Sequence, residues 1–310
     1  MSRTRSLILT GALLTATTAV TACGAGNAAT GDGKPAVMAA FYPLQWISQQ
    51  VGGADVSVTG LTKPGTEPHD LELTARQVAD IQDSTLVVYI KGVQPAVDEA
   101  VDGHASDSAF DAATAISTLP ATGADEGHGE QGHGDDHADV SYDPHIWLDP
   151  SRFATVATRL GDQLAKADPA HAAAYKQRAA TTAAALTTLD GEYRKGLATC
   201  TGRAIVTSHA AFGYLANRYG LEQISVSGID PETEPSPTRL AEVANVAKQK
   251  NVTTIFTEEL VSPKVAEILA KEVGAKTAVL NPIESAPGDG DYLSAARRNL
   301  ETLRTALGCS

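Results

Sequence analysis

The order of element types along this 310-residue chain limits its fold more than any single motif. Short apolar, β-branched runs read as buried strands: AVMAAF (36–41), ADVSVTGL (54–61), TLVVYI (85–90), RAIVTS (203–208), EQISVSG (222–228), VTTIFTE (252–258) and KTAVLN (276–281). Helical patterns lie between them at 43–53, 74–84, 211–220, 237–251 and 262–275. Thr74 with Gln77 makes a capping-box pattern, and Ser-Pro at 236–237 and 262–263 puts Ser at the cap and Pro in the first turn. Strands alternating with helices predict βαβ units and parallel sheets, hence an α/β fold.

One segment breaks the alternation. From Ser151 to Ala198 there is no strand signal, good helix formers dominate, and Pro169 divides the stretch. The second part, roughly 169–197, predicts a helix about 40 Å long, more than one α/β layer needs. It reads as a bridge between two lobes; two surface helices on one domain are the alternative. The bridging reading gives an N-terminal lobe over 35–165, a linker helix over 166–198 and a C-terminal lobe over 199–310.

The N-terminus bears on compartment. Residues 1–22 carry Arg3 and Arg5, then an Ala/Leu/Thr-rich stretch and small residues, the layout of a secretory signal. VTAC places Cys23 after the small residues and resembles a bacterial lipobox, which predicts lipidation of Cys23 and anchoring to the cell membrane from an extracytoplasmic position. Ordinary signal cleavage beside a chance cysteine is the alternative. Small polar residues over 24–34 continue as a flexible tether. Formal net charge is −13, and losing the two positive charges of Arg3 and Arg5 takes it to −15. Such a surface repels nucleic acid and favours cations. In an oxidising compartment Cys200 and Cys309 read as one disulfide, with two separate thiols as the alternative.

The histidines sort by context. Four of the eight, His128, His133, His137 and His145, fall within residues 128–145. The first three sit in an insertion, 121–141, with five glycines and no large apolar group except Val140, too little to order itself. His145 instead stands in DPHIWLDP, His69 in PGTEPHDLELT after a strand pattern, and His209 ends a strand pattern in TSHAAFGYL. Ligands collect beyond the carboxyl ends of strands in open α/β sheets, and Glu284 after AVLN has the same placement. A satisfied hydrogen-bonding role is the plain reading of any one of these histidines. Glu67, Glu258 and Glu259 are alternative carboxylates by position. Asp70, Asp143 and Asp149 are acidic neighbours that could orient an imidazole. His171 reads as a helix-surface residue and His104 as a loop residue, neither with a role.

These motifs, taken in order with IDPETEPSP and LNPIES, resemble the zinc and manganese substrate-binding lipoproteins of ABC importers over essentially the whole mature chain. The resemblance implies two (β/α) lobes joined by one long rigid helix, with the metal between them. It implies His69 and His145 as ligands from the first lobe and His209 from the second. Manganese-type relatives carry an acidic residue where His209 stands, so this chain leans to zinc. Many relatives have Asp at or near Asn281; the NPIES form is similar to a zinc subgroup that uses the following Glu, which implies Glu284 as the fourth ligand.

Three imidazoles and a carboxylate suit tetrahedral Zn²⁺, whereas Mn²⁺ prefers more oxygen ligands. The expected function is therefore extracytoplasmic capture of Zn(II) and delivery to an ABC permease and its ATPase, by a monomer that is not an enzyme. A long rigid helix would permit only a small lobe tilt, so release would rely on local loop movement. His128, His133 and His137 would bind zinc weakly near the mouth, the plain alternative being a solvated loop without consequence. Two other readings compete: a manganese or other divalent-metal carrier, and a zinc hydrolase should the fourth position be open. H-E-x-x-H and G-x-S-x-G are both absent. Adhesion roles assigned to related lipoproteins find no discriminating residue here.

Overall fold

The computed structural model describes residues 33–121 and 141–310. The expectations at Cys23 and at His128, His133 and His137 lie outside these residues. Each lobe is a four-stranded, all-parallel sheet. The first holds β1 (Ala36–Ala39), β2 (Ser57–Gly60), β3 (Leu86–Tyr89) and β4 (Ala109–Asp111) in the order β2-β1-β3-β4. The second holds β5 (Ala204–Thr207), β6 (Glu222–Ser225), β7 (Thr254–Thr257) and β8 (Lys276–Val279) in the corresponding order β6-β5-β7-β8. The seven expected strands all form, each shorter than its apolar run. β4 carries too weak a signal to read, with Phe110 its one large apolar residue.

Helices α1 (Tyr42–Gly52), α2 (Ala75–Gln82) and α3 (Pro95–His104) serve the first lobe. Helices α6 (Gly213–Tyr219), α7 (Pro237–Gln249), α8 (Lys264–Val273) and α9 (Tyr292–Leu307) serve the second. Thr74 and Gln77 form the reciprocal capping box of α2, and Ser236 accepts from the Arg239 amide at the start of α7. The second Ser-Pro pair behaves differently. Pro263 itself occupies the cap of α8, and Ser262 is left one position outside. His104 is the last residue of α3 rather than a loop residue.

Between the two sheets in chain order come α4 (Pro150–Ala167) and α5 (Ala172–Gly196), separated by a 3-10 turn over Pro169–His171. At 25 residues α5 is about 38 Å long. Its first half belongs to the first lobe: Arg178 donates to the carbonyls of Val51 and Gly52 at the end of α1 and pairs with Asp55 at 2.8 Å. Its second half belongs to the second lobe. Tyr193 donates to the Ala296 carbonyl of α9, Glu192 meets Arg297 in two hydrogen bonds, and Asp190 accepts from Arg218 and Tyr219 of α6. Gly161 lets α4 and α5 approach closely, since a Cβ there would lie 2.6 Å from that of Ala179. One helix thus reaches both lobes, in agreement with the bridging reading.

The core runs through the first lobe, α4 and α5 into the second, with Trp147, Phe41, Phe153, Tyr193 and Tyr292 buried in it. Trp46 stacks on Tyr292 across the lobes at 4.8 Å between ring centroids. A smaller cluster around Val206, Val243, Ile255 and Leu269 lies between the second sheet and α7 and α8. Cys200 and Cys309 are disulfide-bonded, fastening the end of α9 to the chain after α5. Among the described residues, no helix is long and apolar enough to cross a membrane.

Candidate metal centre

Four strand-to-helix connections meet at one point. His69 lies between β2 and α2, His145 between β4 and α4, His209 two residues beyond β5, and Glu284 between β8 and α9. Each connection leaves the carboxyl end of a parallel strand, where backbone amides and loop side chains are free to face a ligand. His145 is set at the head of a short 3-10 turn, Ile146–Leu148, whose three side chains are buried. That turn pins the backbone, and the buried imidazole packs against Trp147 with 5.1 Å between ring centroids.

One donor atom from each of His69, His145, His209 and Glu284 lies within 4.8 Å of all the others. Glu284 Oε1 is 3.7 Å from Nε2 of His69, 3.8 Å from that of His145 and 3.7 Å from that of His209. A tetrahedral zinc with bonds of about 2.0–2.1 Å has ligand-to-ligand edges of about 3.3–3.4 Å. The carboxylate oxygen thus sits a few tenths of an ångström outside that distance from all three nitrogens. His145 and His209 are wholly buried and Glu284 is 2 % exposed. None of the three Nε2 atoms, nor Glu284 Oε1, has a hydrogen-bond partner. Four converging, buried and unpartnered polar atoms are costly unless a cation joins them.

Two carboxylates fix the imidazoles from behind. Asp143 Oδ1 lies 2.8 Å from His145 Nδ1 and also accepts the His145 amide. Glu258 Oε2 lies 2.7 Å from His209 Nδ1, and its other oxygen accepts the His209 amide. An acceptor at Nδ1 keeps the proton there and leaves the Nε2 lone pair facing the centre. Gly213 packs against Asp143 so closely that a Cβ would collide with its carboxylate.

The other expected acidic neighbours do different work. Asp149 caps α4 and pairs with Arg152, and Asp70 is exposed with its amide bonded to Glu67. Glu67 accepts the His69 amide at 2.8 Å, and Glu259 accepts from the Asn281 side chain at 2.7 Å. Neither joins the four. His171 is exposed and bonded to Asp168. The position of Glu258 after β7 was legible in the sequence; its service to His209 depends on β5 and β7 being neighbours, which the sequence leaves open.

The charges of the metal-free site follow from its crowding. Burial pulls the His209 imidazole pKa down, but Glu258 and Glu284 more than offset this and hold it well above its ordinary value. His69 is likewise lowered by burial and raised on balance by Glu284 and Glu67. For His145 burial wins over Asp143, and its pKa is lowered. Burial would push Glu284 up, but the imidazoles of His209 and His69 hold its carboxyl well below the usual carboxylate range. The carboxyl of Glu67 is pushed up to about 7 by burial, against the pull of His69.

Residues 37–306 match the family described as zinc-uptake complex component A, periplasmic (ZnuA). The chain belongs to this family. Among ZnuA relatives, the zinc-binding lipoprotein AdcA of Streptococcus pneumoniae (strain R6) is 35% identical over 279 residues, which cover 88% of this chain and 56% of AdcA. The chain thus spans little more than half the length of the AdcA relatives it matches. The high-affinity zinc uptake system protein ZnuA of Bacillus subtilis is 34% identical over 302 residues, covering 93% of each. The laminin-binding protein Lmb of Streptococcus agalactiae, described as having adhesin and metal-transporting activity, shares the fold with a TM-score of 0.77. It is 33% identical, over 88% of this chain and 99% of that one. The ZnuA assignment and this shared architecture agree with the two-lobed α/β reading of the sequence.

Proposed function

We propose that this chain captures Zn²⁺ outside the cytoplasm and delivers it to an ABC-type importer. The observation that carries the reading is the convergence of three unpartnered Nε2 atoms and Glu284 Oε1 at near-tetrahedral distances. In this reading His69, His145, His209 and Glu284 are the four ligands, two from each lobe, and zinc is cargo. The names of the ZnuA and AdcA relatives support the metal and its transport. Three nitrogen donors favour zinc over manganese. A carboxylate at the fourth corner favours a carrier over a hydrolase, which would keep that corner for water.

The partners would be a membrane permease and its ATPase, met by a monomer. Lipidation at Cys23 would tether the chain to the membrane after removal of residues 1–22, with 23–34 as slack, a reading supported by the lipoprotein name of a relative. The lobes would span 35–165 and 199–310, joined through 166–198. His128, His133 and His137 would add weak capture near the mouth. The deciding experiment is a zinc titration of residues 24–310 lacking 125–139, repeated with Glu284→Ala and with manganese competing. One tight zinc, weakened by Glu284→Ala and unmoved by manganese, is expected. A site indifferent to Glu284 would return the hydrolase to consideration.

Acid should oppose binding. His69 and His209 have raised pKa values, so near neutrality the metal-free site holds protons that zinc must displace. Protons therefore compete more strongly as pH falls from 8 toward 6, while Glu284 stays ionised. Calorimetry at pH 7 in buffers of different ionisation enthalpy should show about one to two protons released per zinc. Release near zero would contradict the raised values.

A further inference from the structure

Glu284 reaches the centre through a backbone conformation that its neighbour resists. Ile283 has φ of +60°, in the left-handed region, and it is β-branched and buried. The other non-glycine residue with positive φ among those described is Asn251, a type that tolerates this conformation. An isoleucine stays there only when its surroundings hold it.

The holding group is Asn281. Its Oδ1 accepts the Ile283 amide at 2.6 Å, closing a tight ring that selects the turn. Its Nδ2 donates to Glu259 at 2.7 Å, and its backbone is gripped on both sides by the Asn299 side chain of α9. With both ends of its amide engaged, Asn281 acts by placing the next ligand and not as a ligand itself. The same segment is tied to the first lobe on either side of Ile283: Trp147 donates to the Pro282 carbonyl, and the Gly65 amide donates to Ser285 Oγ. Trp147 lies two residues after His145, and Gly65 four before His69.

We propose that Asn281 is the positioning residue for Glu284, its amide clamping Ile283 in the left-handed turn that points the carboxylate at the three imidazoles. The inference rests on Glu284 being the fourth zinc ligand. When the clamp opens, Ile283 relaxes toward an ordinary φ and carries Glu284 off the metal, leaving three imidazoles and an open corner. Because Trp147 and Gly65 hold the residues flanking the turn, movement of either ligand loop bears on it. Release then needs a local rearrangement and no wide separation of the lobes.

The test compares the parent protein with Asn281→Ala, Glu284→Ala and the double variant. It reads zinc dissociation into excess chelator and the visible absorption of the Co²⁺-loaded protein, which is intense for a tetrahedral set and weak once added water raises the coordination to five or six. Asn281→Ala should release zinc about tenfold or more faster, as loss of a supporting contact does at other metal sites, and weaken the Co²⁺ band. In the double variant the two effects should not add, because both remove the same carboxylate. Additive effects, or a full-strength Co²⁺ band in Asn281→Ala, would overturn the positioning role while leaving the four-ligand site intact. An unchanged dissociation rate in Glu284→Ala would instead overturn the four-ligand reading. Asn281→Asp combined with Glu259→Gln keeps the acceptor for the Ile283 amide and restores a donor opposite the other oxygen, so the pair should keep the intense band; a weak band there also overturns the proposal.

Discussion

His209→Ala is expected to weaken zinc binding by more than about 100-fold, above the 10–100-fold typical of losing a supporting contact. Two losses coincide at this position. The centre gives up one of its three nitrogens, and Glu258, 5 % exposed, loses the imidazole that partners it. Glu258 keeps the backbone amide of residue 209 on one oxygen, but its other oxygen is left buried and unpartnered, which disturbs the end of β7, so the effect reaches past the missing imidazole. Glu258→Gln separates the two contributions. The amide oxygen can still accept from Nδ1, but the negative charge that raises the basicity of His209 is gone. We expect a loss of about tenfold for Glu258→Gln, between the parent and His209→Ala. Direct titration with a chelating competitor measures both, with circular dichroism confirming the fold. Binding in His209→Ala within about threefold of the parent would remove His209 from the site.

How far the site could be read from sequence differs among its four members. The histidines stand in turn-rich contexts after strand patterns, and an α/β alternation already gathers such positions at the carboxyl ends of sheets. The carboxylate could not be singled out in this way. Glu67, Glu258, Glu259 and Glu284 all sit on comparable connections, and what separates them is fine geometry. Glu67 turns back to its own loop amides, Glu258 goes behind His209, and Glu259 goes to Asn281. Glu284 alone of these is presented to the centre, after a left-handed isoleucine that no propensity scale would place there.

The fold shows the same division between local signal and tertiary demand. Runs such as TLVVYI announce strands because they are apolar over their whole length. β4 is recruited by pairing with β3, and SAFDAA gives little local sign of it. The bridging helix was legible from the missing strand signal over 151–198. Which lobe each half would hold was not, because that depends on contacts such as Arg178 with Val51 and Tyr193 with Ala296, over 100 residues apart in sequence.

Replacing Cys200 and Cys309 together by serine is expected to cost stability without weakening zinc binding. The disulfide closes a loop with a sequence separation of 109 residues. In the chain-entropy account, a cross-link over about 100 residues restricts the unfolded chain by about 4–5 kcal/mol. The folded state should barely notice the change, because the same tail is held by other bonds. Gly202 N and Thr201 Oγ1 both donate to the Leu307 carbonyl, and Thr199 Oγ1 donates to the Ser310 carbonyl. Tyr193 still fastens α9 to α5, and Asn299 on α9 still holds Asn281 behind the site. The melting temperature should therefore fall by about 8–20 °C, at about 2–4 °C per kcal/mol for a chain of this size. Scanning calorimetry of the metal-free protein measures the shift, and a zinc titration of the same variant measures the site. A shift below about 2 °C would mean that the unfolded chain keeps enough residual structure for the cross-link to restrict it little. A weakened zinc site would mean that the disulfide shapes the folded lobe, which the unbroken path from α5 through α9 to Asn281 argues against.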